Sequence, residues 1–153
     1  MMFNTLVVED NATFRKILLN LLSYRFPFMD IDESESGEDA LNKIKARVPD
    51  LIFLDIRLPG ENGLELTRKI KSVYPDTIIV ILTNYDLPEY RQLANQYGAN
   101  YFLSKSEVST ADDVLKIVTA IVSNAESTEG GRNKVNKYWH KHEDVPPDLG
   151  PLS

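Results

Sequence analysis

Polar residues follow directly on apolar runs at four places in the sequence. Glu9 and Asp10 follow LVV, Asp55 follows LIFL, Thr83 follows IIVIL, and Lys105 comes after NYFLS. A buried charge without a partner costs free energy, so an acid at the end of a run as apolar as LIFL needs a cation, a metal or a chemical role. Clustered carboxylate oxygens suit Mg²⁺. These residues therefore raise the hypothesis of an acidic metal site.

Most of these residues also have an ordinary structural interpretation. Asp10 or Asn11 could cap the helix that follows them. Thr83 and Asn84 could belong to a turn, and a single Lys105 after a strand is most often solvated. The acid at the end of LIFL is the exception, because the run before it is so apolar. Taken together, all the polar residues fall at the same ends of the apolar runs, which favours a site.

Five short apolar runs alternate with longer segments of helical period. The runs cover residues 3–8, 29–34, 51–54, 77–82 and 100–103. Three of them are almost continuous in aliphatic residues and phenylalanine, as expected for strands covered on both faces. The first and last helical segments carry apolar stripes within 14–22 and 114–122. Five strand–helix units predict an α/β protein with a parallel sheet and helices on both faces.

Candidate helix starts agree with this division. Ser36, Asn62, Asp86 and Thr110 each precede a helical segment and are followed three positions later by an acid. A short polar side chain at that position can accept a hydrogen bond from a free backbone N–H of the first turn. We therefore predict that these four residues are N-caps.

The predicted sheet explains why the polar residues matter. In an open parallel sheet, ligands bind beyond the carboxyl ends of the strands, near the point where the strand order reverses. If the first and third strands are neighbours, Glu9, Asp10 and Asp55 meet there. Two charges about 4 Å apart repel by roughly 4 kcal/mol at an effective dielectric constant near 20. A bound Mg²⁺ would offset that repulsion.

Four motifs resemble those of response-regulator receiver domains of two-component signalling, the CheY-like family. They are VED at 8–10, LDIRLP at 54–59 with Gly63 following, LT at 82–83, and GANYFLSK at 98–105. The resemblance covers about residues 3–124 and implies a flavodoxin-like (βα)5 fold with strand order 2-1-3-4-5. The ending FLSKS looks more like receivers joined to LuxR-type helix-turn-helix outputs than those joined to winged-helix outputs.

The resemblance also implies a role for each site residue. Asp55 would accept a phosphoryl group from a sensor histidine kinase. Asp10, Asp55, the backbone carbonyl of Arg57 and, through water, Glu9 would hold Mg²⁺. Lys105 would contact a phosphate oxygen.

The same resemblance implies a switch. The Thr83 hydroxyl would turn toward the phosphoryl group, and Phe102 would fill the space that it leaves. This would change the surface of the fourth helix, fifth strand and fifth helix. Phe102 stands where a tyrosine is common, so plain core packing is an alternative for it. Arg57 and Tyr85 border the site and could alter water access, without a sign that can be derived.

Composition limits the classes of protein. The chain has 153 residues, no cysteine and a formal net charge of −6, with no apolar run near the roughly 18–20 residues that cross a bilayer. These features predict a cytoplasmic, non-membrane protein that does not bind nucleic acid tightly by itself. The first ten residues do not have the pattern of a signal peptide.

We predict a receiver domain at 1–125 and a mostly irregular linker or tail at 126–153. The tail includes the basic, aromatic stretch NKVNKYWHKH, with His140 and His142 as a weak metal motif. DNA binding would require an output domain that this tail is too short to supply. The chain could be part of a transcriptional regulator, or a stand-alone receiver that acts through protein contacts or a phosphorelay, and it could form a homodimer.

Two other classes of function compete with the receiver. An aspartyl-phosphate phosphatase of the haloacid-dehalogenase type is disfavoured because that family needs an acid where Arg57 stands. A phosphorylation-independent interaction module would not need the complete set of acids, threonine and lysine. The receiver would be a switch rather than an enzyme, because its chemistry is confined to phosphorylation and dephosphorylation of Asp55.

Overall fold

The computed structural model describes residues 2–127. Five strands form one parallel sheet: β1 (Phe3–Val8), β2 (Met29–Ser34), β3 (Leu51–Leu54), β4 (Ile78–Thr83) and β5 (Tyr101–Ser104). The helices are α1 (Ala12–Arg25), α2 (Gly37–Ala46), α3 (Gly63–Val73), α4 (Pro88–Gln96) and α5 (Thr110–Ser127). The predicted tail lies outside the described residues, apart from residues 126 and 127, which belong to α5.

The strand order is β2-β1-β3-β4-β5, so the predicted flavodoxin-like arrangement is confirmed. Strand β1 lies between β2 and β3, with Val8 opposite Leu54. The residues after these two strands therefore leave the sheet side by side. The first and third strands are neighbours, which was the condition for the acids to meet.

The sheet separates two apolar cores, as a doubly wound fold requires. Leu18, Leu22, Val118 and Ile121 belong to the core between the sheet and helices α1 and α5. The opposite core lies under α2, α3 and α4. Every residue of β3 and β4 is buried, which explains why these strands read as continuous apolar runs rather than as alternating ones.

The last two strands lie one residue later than the sequence predicts. The Asn100 side-chain oxygen accepts a hydrogen bond from Ile79 N–H at 2.7 Å, and Asn100 N–H donates to Ile79 O at 2.8 Å. This side chain takes the place of a backbone acceptor at the start of the ladder. At the other end, Thr83 pairs with Ser104 and so belongs to the sheet. Thr83 is the last residue of its strand rather than the first residue of a turn.

Two of the four predicted N-caps are confirmed and two are wrong. Ser36 accepts from Asp39 N–H and Asn62 accepts from Leu64 N–H. Asp86 does not cap α4, which has Leu87 at the cap position with no side-chain bond, because the Asp86 carboxylate pairs with a nearby arginine instead. Thr110 is the first residue of α5, and its hydroxyl donates to the carbonyls of Ser104 and Glu107.

A short antiparallel ribbon follows β3. Arg57–Leu58 pairs with Glu61–Asn62 across a turn at Pro59 and Gly60. Gly60 has a φ of 74°, a left-handed conformation that L-residues adopt only with strain and that achiral glycine adopts readily. This turn returns the chain to Gly63, where α3 begins.

Within the described part of the chain, none of the helices combines the length and the apolar character that crossing a membrane demands.

Candidate functional site

Three carboxylates meet beyond the carboxyl ends of β1 and β3. Glu9, Asp10 and Asp55 each present an oxygen atom, and these atoms lie within 4.8 Å of one another. The parallel pairing of Val8 with Leu54 brings them together, because each acid follows the end of its strand. Glu9 and Asp55 are buried, whereas Asp10 is exposed at the mouth of the cluster.

Lys105 supplies the cation that faces this cluster. Its Nζ lies 2.8 Å from Asp55 Oδ2 and 2.6 Å from Glu9 Oε1, and only 7% of its side chain is exposed. The same ammonium group lies 4.5 Å from the centroid of the Phe14 ring. The interpretation of Lys105 as an isolated solvated residue is therefore wrong.

The environment changes the proton affinity of two of these groups. Burial raises the pKa of Glu9, although hydrogen bonds from Lys105 and from Asn11 N–H oppose this effect. Burial lowers the pKa of Lys105, but its hydrogen bonds to Asp55 and Glu9 outweigh burial and raise the pKa overall. Lys105 is therefore protonated at neutral pH.

The donor set fits a hard divalent cation. Three carboxylates face one ammonium group, which leaves two negative charges if all three acids are ionised. The exposed position of Asp10 leaves one side of the cluster open to solvent. Oxygen ligands with partial access to water suit Mg²⁺, which keeps several of its own water molecules when it binds.

The segment after β3 holds Asp55 rigidly. The Oδ1 atom of Asp55 accepts a hydrogen bond from Ile56 N–H at 2.6 Å, while its Oδ2 atom accepts one from the Lys105 ammonium group. Gly63 N–H donates to Ile56 O at 2.7 Å, and a Cβ atom at Gly63 would lie only 2.0 Å from Asp55 O. The backbone of α3 therefore packs directly against the backbone of Asp55, and glycine is the residue that permits this contact.

Thr83 lies at the end of β4, next to the lysine. Its backbone carbonyl accepts from Lys105 N–H at 2.9 Å, and its hydroxyl accepts from Tyr85 N–H at 3.2 Å. The side chain is fully buried. The hydroxyl therefore has both a local backbone donor and a position at the same edge of the sheet as the acids.

Phe102 is buried in the core under α2, α3 and α4. The guanidinium carbon of Arg91 lies 4.7 Å from the centroid of its ring, and Arg91 forms a bidentate ion pair with Asp86. The ring that the resemblance singles out as a switch is thus covered by a charged side chain from α4.

Arg57 and Tyr85 contact each other. The Arg57 guanidinium carbon lies 4.3 Å from the centroid of the Tyr85 ring, so the segments after β3 and β4 are joined by a cation–π contact. Arg57 begins the ribbon two residues after Asp55. Asn84, between Thr83 and Tyr85, is exposed.

The comparison with protein families decides the identity. Residues 5–119 match the family described as the response regulator receiver domain. The chain belongs to this family. Its likeness extends to both curated sequences and solved structures.

Two curated relatives and one structure illustrate this. The sensory transduction protein LytT of Bacillus subtilis is 30% identical over 137 residues, which cover 88% of this chain and 57% of LytT. The transcriptional regulatory protein DegU of Brevibacillus brevis is 28% identical, over 73% of this chain and 48% of DegU. The signal receiver domain of the putative response regulator NarL from Mycobacterium tuberculosis is 29% identical with a TM-score of 0.68, over 83% of this chain and 98% of that one.

The receiver spans about half the length of the curated relatives it matches.

Sequence reasoning did not identify Asn11 and Arg15 as contacts of the acids. Asn11 caps α1, as its residue type allowed, and also donates its N–H to Glu9. Arg15 donates to the Glu9 carbonyl. A cation in the first turn of a helix is unfavourable for the helix dipole, and that was the available signal.

Proposed function

We propose that this receiver is a phosphoryl-accepting switch and that Asp55 is the acceptor. The observation that carries the proposal is the Lys105 ammonium group, which bridges Asp55 and Glu9 while Asp10 completes the acidic cluster. A structural ion pair needs one acid, whereas this site holds three. The excess negative charge is explained if a divalent cation binds there, and that cation would also offset the charge of an incoming phosphoryl group.

Asp10, Asp55 and Glu9 would hold Mg²⁺, with Glu9 acting through water and the Arg57 carbonyl as a further ligand. When bound, the ion neutralises negative charge on the acids and on the incoming phosphoryl group. Lys105 and Asp55 are held at a fixed separation, so the protein needs little rearrangement when a donor arrives. In the phosphorylated protein Lys105 would pair with a phosphate oxygen.

The transfer step needs no cofactor beyond the ion. An oxygen of Asp55 forms a bond to phosphorus as the bond from phosphorus to the donor breaks. The electron pair of the broken bond leaves with the donor, which is the phosphohistidine of a sensor kinase or a small acyl phosphate. The product is an aspartyl phosphate, and later hydrolysis returns the carboxylate.

The switch would work through Thr83 and Phe102. The Thr83 hydroxyl accepts from Tyr85 N–H, and because a hydroxyl also carries a donor hydrogen it could donate to a phosphate oxygen. Phe102 would then move toward the vacated space and away from Arg91. The outcome is a changed surface on α4, β5 and α5, which is where a partner or a second copy of the chain would sense phosphorylation.

The relatives suggest the output. DegU is named a transcriptional regulatory protein, and this chain covers 48% of it. We infer that the chain is the receiver part of a transcriptional regulator, in which DNA would be bound by an output domain. A stand-alone receiver in a phosphorelay is the second candidate, because the described residues form a complete sheet with both faces covered.

Mass spectrometry after incubation with acetyl phosphate and Mg²⁺ tests the acceptor. We expect one phosphoryl adduct in the wild type and none in Asp55→Asn. Asp50→Asn is the matched control, because Asp50 precedes the other end of the same strand and its replacement keeps an oxygen for the Asn4 N–H. An adduct that persists in Asp55→Asn would refute the assignment, and no adduct in the wild type would favour a phosphorylation-independent module.

Incubation with a phosphomonoester separates the receiver from a phosphatase. We expect no sustained release of phosphate, because Arg57 occupies the position where a second acid would be needed. Continuous turnover that Asp55→Asn abolishes would overturn the interpretation as a switch.

A further inference from the structure

Arg15 links the acid cluster to the edge strand of the sheet. Its Nη1 donates to the backbone carbonyl of Glu9 at 2.7 Å, and its Nε lies 2.6 Å from Glu33 Oε1 on β2. Only 13% of the Arg15 side chain is exposed. A guanidinium group can bind two acceptors at once in a fixed plane, so the carbonyl of Glu9 is fixed relative to β2.

This carbonyl matters because it belongs to the peptide that leads into Asp10. The Glu9 N–H is held by Ser34 O at 2.9 Å, and its carboxylate accepts from Asn11 N–H and Lys105. Among residues 2–127, by contrast, no hydrogen bond holds the carboxylate of Asp10. The direction of Asp10 therefore depends on the orientation of its own backbone.

We propose that Arg15 is a positioning residue that fixes the Glu9–Asp10 peptide and so aims Asp10 at the cation site. The inference rests on the proposed function, because it assumes that Asp10 binds Mg²⁺. The hydrogen bonds of Arg15 go to the Glu9 carbonyl and to Glu33, so its proposed role is indirect. It acts through the carbonyl oxygen that it holds, as groups behind a metal ligand commonly do.

The positive charge of Arg15 should affect Mg²⁺ binding in the opposite direction to its positioning role. The sign of the change in affinity therefore separates the two effects. A positive charge near a cation site weakens binding of Mg²⁺, and removing it would tighten binding. Glu33 pairs with the guanidinium group and offsets much of this charge. We therefore expect the loss of positioning to exceed the gain from removing the charge.

The test is a titration of the metal-free protein with Mg²⁺, in which binding is measured from the NMR chemical shifts of the Asp55 and Ile56 amide groups. Arg15→Ala should raise the dissociation constant of Mg²⁺ by about tenfold, the lower end of the range for groups behind a metal ligand. Arg15→Lys, which keeps the charge but can hold only one of the two acceptors well, should show a smaller rise.

Arg47→Ala is the matched control. Arg47 also joins a residue of β1 to an acid of β2, through Asn4 and Asp30, but at the opposite end of the strands. Because this ion pair is about half-exposed, its loss should change the stability little and should leave the affinity for Mg²⁺ unchanged. Thermal melting of each variant, measured without the ion, separates lost stability from lost binding.

The outcomes distinguish this inference from the proposed function. If the wild type binds Mg²⁺ and Arg15→Ala binds it equally or more tightly, the positioning role is wrong while the metal site stands. If the wild type shows no Mg²⁺-dependent shifts, both are wrong. Should Arg15→Ala fail to fold, Arg15→Lys decides, and an affinity equal to that of the wild type overturns the inference.

Discussion

Replacing Gly63 by alanine should lower the stability of the fold and slow the proposed phosphorylation of Asp55. The added Cβ would lie 2.0 Å from Asp55 O and 2.8 Å from the Cα of Ile56. Ordinary contact begins at 3.4 Å, so the two backbones must separate by about 1.4 Å, the difference between these distances. Because both partners are backbone, no side-chain rotation relieves the clash.

The expected magnitudes follow from that displacement. Overpacking costs about 1–3 kcal/mol, and a clash between backbones belongs near the upper end. Loss of the hydrogen bond from Gly63 N–H to Ile56 O adds about 1 kcal/mol, so the free energy of unfolding should fall by about 4 kcal/mol. A displacement of about 1 Å in a reacting group can slow the reaction about 100-fold, which we expect for phosphorylation of Asp55.

Gly60→Ala is the matched control, since Gly60 lies in the same segment but has nothing within 4 Å of an added Cβ. Its φ of 74° makes alanine cost about 1–2 kcal/mol without moving Asp55. Urea unfolding and the initial rate of phosphorylation by acetyl phosphate are the two measurements. Equal stability and equal rates for the two variants would refute the reasoning about Gly63.

Three further predictions concern cationic side chains. The pKa of Lys105 is raised above its usual 10.5, so its stabilising contribution is complete below that pH and is lost as the pH rises through the raised value. Thermal melting at increasing alkaline pH should therefore show this loss of stability in the wild type and not in Lys105→Met. Arg57→Ala and Tyr85→Ala should show a coupling of about 0.5–1 kcal/mol in a double-mutant cycle by urea unfolding, and zero coupling would exclude the cation–π contact. Arg91→Ala should lower the free energy of unfolding by about 1–3 kcal/mol, because it uncovers the buried Phe102 ring and leaves Asp86 unpaired. Arg68→Ala, on the exposed face of α3, should leave the free energy of unfolding unchanged, and equal effects of the two substitutions would contradict this distinction.

The sequence predicted the local structure well where the cause is local. Ser36 and Asn62 cap their helices because a short side chain can reach a backbone N–H two or three residues away. Asp86 had the same local signal, yet Arg91 from the next helical turn takes its carboxylate. The local rule fails there because an ion pair with a guanidinium group competes successfully with a cap.

By itself, the sequence determined the order of strands and helices and, to within one residue, where each of the last two strands ends. The apolar period, read along the chain, is enough to place Glu9, Asp10, Asp55 and Lys105 at the same edge of a parallel sheet. The sequence does not determine which of these residues become neighbours, because strand order depends on how the crossover connections pack and not on any one segment. Only the tertiary structure placed the Lys105 ammonium group between two acids.

The same reason explains the contacts that sequence reasoning did not find. Arg15 reaches Glu9 O and a residue of β2, and Arg57 reaches Tyr85 from a different loop. A long flexible side chain can reach many different partners, so its residue type does not identify its contact. The sheet determines the contact, because it fixes which backbones lie side by side and therefore which groups these arginines can reach.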